Sequence, residues 1–261
     1  MDGHGSKMDI VVLGTGTSHG IPMIGCDCPV CTSSDPRDRR TRTSIHVEFQ
    51  AASLLVDTAP ELRLQCVTHG IRRVDAVLFT HHHADHVMGL DDLRRFNAIM
   101  KKPIPCYGAE RTLAALQKMF VYAFGEQPGS PHSRPQLELR PIGSPTFAVH
   151  DAEIGVIPLM HGPMPVLGFR FGPFAYCTDC NAIPADSMEL LRDLDVLILD
   201  ALRNTPHPTH FTLDEAVETA RRIGAGRTYF THMTHQLGHA ETNSRLPDSM
   251  ELAYDGLRIR L

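Results

Sequence analysis

The chain reads as a layered α/β protein, two sheets sandwiched between helices. Three observations point there. Its 261 residues are 42% hydrophobic, enough for one large soluble fold. The early apolar runs lie close together, as hairpin strands do. The later runs alternate with helical patterns, which suggests sheets covered by helices rather than one doubly wound sheet.

Expected strands are Asp9–Leu13, Ser44–Phe49, Ser53–Asp57, Ala76–Phe79, Ile104–Tyr107, Ile154–Leu159, Gly168–Phe171, Ala175–Thr178, Val196–Asp200 and Arg227–Phe230. All are short runs of the length and composition of buried strands. Expected helices are Asp91–Ile99, Glu110–Tyr122, Pro184–Asp193 and Leu213–Ile223. The last has the clearest ends: Thr212 or Thr209 as cap, Asp214 and Glu215 near its positive end, Gly224 and Gly226 as stops. Gly125–Ser144, rich in Pro, Gly and Ser, is expected to be a loop or lid. Residues 1–7 are polar and expected to be a disordered extension of one domain spanning residues 8–261.

Bulk properties narrow the function. No apolar run reaches the roughly 18 residues of a membrane helix, and no secretory signal pattern is present. A cytoplasmic location is therefore expected. A formal charge of −5 disfavours charge-driven contact with nucleic acid. It leaves room for a small phosphorylated substrate.

The chemistry concentrates in Thr80-His81-His82-His83-Ala84-Asp85-His86, at the end of the apolar run Asp75–Phe79. Imidazoles and a carboxylate at this spacing suit Zn, Mn or Fe. His81 and His83 can serve one position while Asp85 and His86 turn toward a second. His82 lies between candidate ligands and should point away. Two further strands end in Thr followed by a potential ligand, at Thr178-Asp179 and Thr231-His232, and Leu159-Met160-His161 is similar. Apolar strands that repeatedly deliver His or Asp at one end describe a site built at a sheet edge.

A second cluster is Cys26-Asp27-Cys28-Pro29-Val30-Cys31. Seven cysteines without an export signal favour thiolates on metal over disulfides. A structural zinc takes four ligands, and spacing leaves the fourth open among Cys66, Cys106, Cys177, Cys180 and several histidines.

Together these residues resemble the metallo-β-lactamase superfamily in its binuclear hydrolase branch, from about Ile10 to Ile259. The resemblance implies an αββα sandwich with metals at one edge. It implies His81, His83 and His161 on one metal, Asp85, His86 and His232 on the other, and Asp179 bridging both. In the superfamily's β-lactamases Asp-Arg or Asp-Cys replaces the Asp85-His86 pair, so His86 points to the two-metal esterases. Ligand histidines need acceptors for their other ring nitrogen, and strand-terminal Asp57 and Asp200 are the candidates. With Asp85 and the proton donor His210, they form the expected catalytic group. His210 stands where related phosphodiesterases carry a catalytic histidine; His207 reads as an exposed loop residue.

The stretch Leu13-Gly14-Thr15-Gly16-Thr17-Ser18-His19-Gly20-Ile21-Pro22, followed by Gly25 and the three cysteines, resembles the PhnP-like cyclic phosphodiesterases of the carbon–phosphorus lyase pathway. Its Gly14-x-Gly16 is no nucleotide fingerprint, because Gly20 falls one place late and no helix follows. The resemblance implies His235 as the fourth ligand of a structural zinc, a role in phosphonate metabolism, and a homodimer. His232 and His235 would then share one loop, pinned by the zinc. The expected reaction is hydrolysis of a small, cyclic phosphoribosyl-type diester by hydroxide held between two Mn or Zn ions, or Fe. Arg39, Arg40 and Arg42 are candidates for a second substrate phosphate.

Three other readings compete. A tRNA 3′-processing nuclease of the same superfamily is disfavoured by the 17 residues between His161 and Asp179, too few for a tRNA-clamping arm. A PqqB-like cofactor-biosynthesis protein shares the cysteine pattern but has lost much of the ligand set. A non-enzymatic zinc sensor would show no turnover.

Overall fold

A computed structural model describes residues 8–124 and 134–261. In chain order the strands are β1 (Asp9–Gly14), β2 (Ser44–Phe49), β3 (Ala52–Val56), β4 (Ala76–Leu78), β5 (Ile104–Gly108), β6 (Leu137–Pro141), β7 (Thr146–Val149), β8 (Ala152–His161), β9 (Met164–Phe171), β10 (Phe174–Cys177), β11 (Val196–Asp200), β12 (Arg227–Thr231), β13 (Met250–Leu252) and β14 (Arg258–Arg260). The helices are α1 (Leu62–His69), α2 (Ala84–Val87), α3 (Leu93–Met100), α4 (Glu110–Met119), α5 (Val121–Phe124), α6 (Ala185–Glu189), α7 (Leu213–Ile223) and α8 (His239–Asn243). They fall into two compact units.

The first unit comprises residues 8–13, 44–153 and 256–261. Its sheet runs β14-β1-β2-β3-β4-β5-β6. β2 and β3 form an antiparallel hairpin, and β3 to β6 are parallel neighbours. Parallel strands are covered on both faces and read as unbroken apolar runs; β3 and β4 are buried at every residue. The core gathers Leu55, Val77, Phe79, Leu90, Leu93 and Leu116. Pairing of Val56 with Leu78 sets Asp57 and Thr80 at the same end of their strands. There α2 packs against the loop after β3: Thr58 donates its N–H to His86 O, and Gly89 donates to Thr58 O. A Cβ at Gly89 would fall 2.1 Å from Ala59 O, so only glycine permits that approach.

The second unit comprises residues 14–43 and 154–255. Its sheet includes β13-β12-β11-β10-β9-β8 in that order. β8, β9 and β10 are antiparallel, and β10 to β13 are parallel. Leu159, Leu197, Leu199 and Phe230 meet Leu213, Ala216 and Ala220 of α7 in the core. α7 begins in a capping box: Thr212 accepts from the Glu215 N–H, and Glu215 accepts from the Thr212 N–H. Gly224, at a φ of 72°, ends it.

Several expectations are corrected. Leu137–Pro141 is a strand within the expected Gly125–Ser144 loop; residues 125–133 of that loop, like residues 1–7, lie outside the described residues. Glu110–Tyr122 is broken at Phe120, and the helix expected over Pro184–Asp193 is only Ala185–Glu189. α1 had no sequence signal because its apolar residues occupy both faces: Leu62 is buried while Leu64 and Val67 are exposed. Among the described residues no helix is long and apolar enough to cross a membrane.

The interior also holds a titratable group. His46 on β2 is buried and donates from Nε2 to Ser53 Oγ, whose own proton goes to Arg73 O. Burial pushes its pKa down to about 4. The unfolded chain therefore takes up a proton near pH 6.5 that the folded chain refuses. Stability is full above that pH and falls as pH drops from 6.5 toward 4, by up to roughly 1.4 kcal/mol per unit. Thermal unfolding measured between pH 7 and 4.5 should show this decline, and His46→Gln should make it shallower. An unchanged slope in His46→Gln would contradict the assignment.

Candidate metal centres

The first unit carries His81, His83, Asp85 and His86, and one buried carboxylate orients His81 and His86. Asp57, just past β3, takes a left-handed φ of 62°, at a cost of about 1–2 kcal/mol for a residue with a Cβ. It is fully buried and accepts three bonds: from Thr80 N at 2.9 Å, Thr80 Oγ1 at 2.8 Å and His86 Nδ1 at 2.8 Å. Burial pushes this carboxyl up, and the three donors oppose that. Thr80 has one hydroxyl proton, and it goes to Asp57. Its oxygen therefore accepts from His81 Nδ1, 3.0 Å away. Asp57 thus fixes the tautomers of His81 and His86 together, and in each the lone pair sits on Nε2. The His81 ring centroid lies 4.5 Å from that of His83 and 4.3 Å from that of His86. Asp85 Oδ2 is 3.5 Å from His86 Nε2.

The second unit repeats the device. β10, β11 and β12 run parallel, with Cys177 opposite Leu199 and Asp200 opposite Thr231. Asp179, Asp200 and His232 therefore emerge at one end of the sheet. Asp179 and His232 have φ of 53° and 62°. Asp200 is fully buried and accepts from the N–H groups of Asp179 and Phe211, each at 3.2 Å, and from His210 Nδ1 at 3.1 Å. The Thr178 hydroxyl donates to Asp179 Oδ1 at 2.7 Å, and Asp179 Oδ2 lies 3.3 Å from His232 Nε2. At the end of β8, His161 donates from Nδ1 to Thr209 O at 2.8 Å, which places its lone pair on Nε2. Burial pushes the His161 pKa down, keeping the neutral form that ligates metals. His210 stacks on His232 at 4.7 Å and 11° and meets His161 edge-on at 4.6 Å.

The donor chemistry in both halves fits Zn, Mn or Fe, because each imidazole fixed by a partner on Nδ1 keeps Nε2 for a metal. Thr80, Thr178 and Thr209 were missed as functional residues. Thr80 and Thr178 had a signal, since each directly precedes a ligand candidate and bonds to it; Thr209 precedes no ligand candidate and acts on His161 through its carbonyl. Thr231 Oγ1 has no hydrogen-bond partner among the described residues.

In the same unit the three cysteines converge on His235. Its Nδ1 lies 3.2 Å from Cys26 Sγ, 3.3 Å from Cys28 Sγ and 3.7 Å from Cys31 Sγ. A tetrahedral Cys₃His zinc site with ordinary bond lengths has S···N edges of about 3.6 Å, so this donor set fits zinc. Backbone N–H groups of Met23 and Cys31 point at the sulfurs of Cys31 and Cys28. Burial pushes the Cys31 thiol up to about 11. The other four cysteines are buried and outside the cluster.

Arg40 is a correction. It is no phosphate ligand, because it is 1% exposed and its guanidinium is occupied. It pairs with Asp38 at 3.2 Å and donates to Thr234 O at 3.1 Å and to Leu237 O. Asp38 also accepts the His239 N–H. Arg40 therefore clasps the segment that carries His235. Gly16 lets the Thr15–Thr17 segment reach the same place: it makes an isolated bridge to Met233, and a Cβ on it would meet Arg40 O at 2.7 Å. Arg39 is exposed and Arg42 half-buried. Arg40→Met should destabilise the protein by about 3–5 kcal/mol, since it strands a buried carboxylate. Denaturant unfolding would measure this, and a loss below about 1 kcal/mol would show that the clasp carries little.

A family model described as the beta-lactamase superfamily domain matches residues 53–233. Among solved structures, a diphosphatase from the PhnP family superposes with a TM-score of 0.91 at 44% identity, covering 98% of this chain and 97% of that one. Zn(2+)-bound PqqB from Methylobacterium extorquens has a TM-score of 0.78 at 20% identity, covering 97% of this chain and 100% of that one, and so shares the fold. An octanoyltransferase of Porphyromonas gingivalis is 36% identical over 96% of this chain, and the chain spans about half of that relative's length, 51%. The α/β sandwich expected from the sequence is thus the fold of these relatives. With a family match over most of its length and a 44%-identical relative covering nearly all of it, the chain belongs to the beta-lactamase superfamily, in its PhnP-like branch.

Proposed function

We propose that the chain hydrolyses small phosphoric diesters or diphosphates, with cyclic phosphoribosyl esters as the favoured class. The carrying observation is the Asp200–His210 pair. It is a histidine anchored through Nδ1 to a buried carboxylate and stacked on a ligand histidine, yet outside the expected ligand set.

By the resemblance, His81, His83, His161 and Asp179 would hold one divalent ion and Asp85, His86, Asp179 and His232 the other, Mn or Zn. Cys26, Cys28, Cys31 and His235 would hold a structural zinc. Ions in the paired positions would supply positive charge for the phosphoryl oxygens and would acidify a water there. The protein does the rest. Asp57 and Asp200 keep the imidazoles oriented. Water adds at phosphorus as the bond to the leaving oxygen breaks. That oxygen takes its proton from His210 Nε2, and Asp200 stabilises the imidazolium that holds this proton beforehand. Arg42, at the rim of the Gly20 turn, is a candidate for a further substrate phosphate.

The tRNA-nuclease reading is related, since a ribonuclease Z of Mycobacterium sp. is 25% identical over 92% of this chain, but it is not the better supported one. The residues between His161 and Asp179 form β9, β10 and tight turns, with no protruding arm. Thioester hydrolysis is a second reading, favoured by the octanoyltransferase relative.

A metal-by-substrate panel decides between them: bis(p-nitrophenyl) phosphate, 2′,3′-cyclic nucleotides, phosphoribosyl cyclic phosphate and an octanoyl thioester, each with Mn, Zn and Fe. Diester turnover is expected; thioester turnover alone would select the second reading. Asp179→Ala should abolish turnover and metal loading of the paired positions while leaving the cysteine-bound zinc, as read by elemental analysis. His210→Ala should lower kcat by about 10²–10⁴-fold with metal content unchanged.

A further inference from the structure

The loop from Thr205 to Thr212 does more than carry His210. Arg203 braces its start, donating to Thr205 O at 3.1 Å and Pro206 O at 2.8 Å. Asn181 donates to Pro208 O at 3.1 Å and accepts from the Gly162 N–H at 2.7 Å. Thr209 is used on both sides. Its carbonyl fixes the ligand candidate His161, while its N–H and hydroxyl reach His207 Nδ1 at 3.4 and 3.2 Å. A backbone N–H can only donate, so His207 Nδ1 is an acceptor and the ring proton sits on Nε2. The ring is half-buried, 5.1 Å from that of His210. Burial and the neighbouring His210 and Arg203 push its pKa down, which favours the neutral ring.

We propose that His207 is a substrate-binding residue whose Nε2–H binds an oxygen of the second phosphoryl group of a diphosphate-bearing substrate. This rests on the phosphoryl-ester reading above. The direction follows from His210. The proton donor marks the leaving-group side, and His207 is its neighbour one ring farther out, so it faces the group beyond the scissile bond. For a diphosphate that group is the second phosphoryl. A fixed neutral donor binds it without competing for the proton that His210 delivers, and the braced loop loses little freedom on binding.

The test uses the full-length, metal-loaded protein and calorimetric binding of two probes, methylenediphosphonate and methylphosphonate. His207→Ala should weaken methylenediphosphonate about tenfold, the worth of one hydrogen bond to a charged acceptor. Methylphosphonate should change less than about twofold, since it lacks the second group. His207→Gln, whose amide N–H can stand where Nε2–H stood, should keep most of the affinity; His207→Asn should not. Melting curves and zinc content confirm the fold of each variant. Equal methylenediphosphonate affinity in wild type and His207→Ala overturns the proposal, as does a Gln variant no better than Ala. An equal loss for both probes also overturns it. Absent turnover of every phosphoryl ester, with the two-probe contrast intact, would instead overturn the reaction and leave the binding role standing.

Discussion

A carboxylate sealed inside the end of an apolar sheet must be fully bonded, and the candidate chemistry grows out of that constraint. Asp57 and Asp200 each follow or end a strand buried along its whole length. Neither reaches solvent. An unpaired charge there would be costly, so each collects donors: two from Thr80 and one from His86, or two backbone N–H groups and His210. Satisfying the carboxylate and orienting the imidazoles are one event. The stiffness of the sheet passes through the acid to the ring nitrogens, and two separate units arrive at the same device.

The backbone accepts strain for it. Asp57, Asp179 and His232 each take φ near 50–60° within two residues of a strand end, where glycine would be unstrained. Glycine has no side chain to offer. The strain is tolerated because strand pairing on one side and bonds to side chain or backbone on the other over-determine each position.

Much of this was legible in the chain. The central parallel strands are unbroken apolar runs, α7 announces both of its ends, and the His-rich and Cys-rich segments declare their donors by residue type. What escaped depended on contacts remote in sequence. Arg39, Arg40 and Arg42 look alike in the chain; burial, Asp38 and the remote carbonyls of Thr234 and Leu237 separate Arg40 from the others. The edge strands β7, β13 and β14 are three or four residues long, too short for a periodic signal. Tautomers follow from counting protons around Thr80 and Thr209, which no spacing encodes. His207 read as a surface residue because its hold on Thr209 is a matter of loop conformation.

The segment from His232 to His239 is fastened by two unlike means. One is the cysteine cluster at His235, which would depend on a metal and on reduced thiols. The other is Arg40, always charged, which needs neither. A chelator or an oxidant acts on the first and leaves the second in place, still holding the carbonyls on both sides of His235. Loss of the ion would then leave a shaped receptor rather than a loose chain. Recovery would be a matter of recapturing an ion, with no need to fold that part of the protein again.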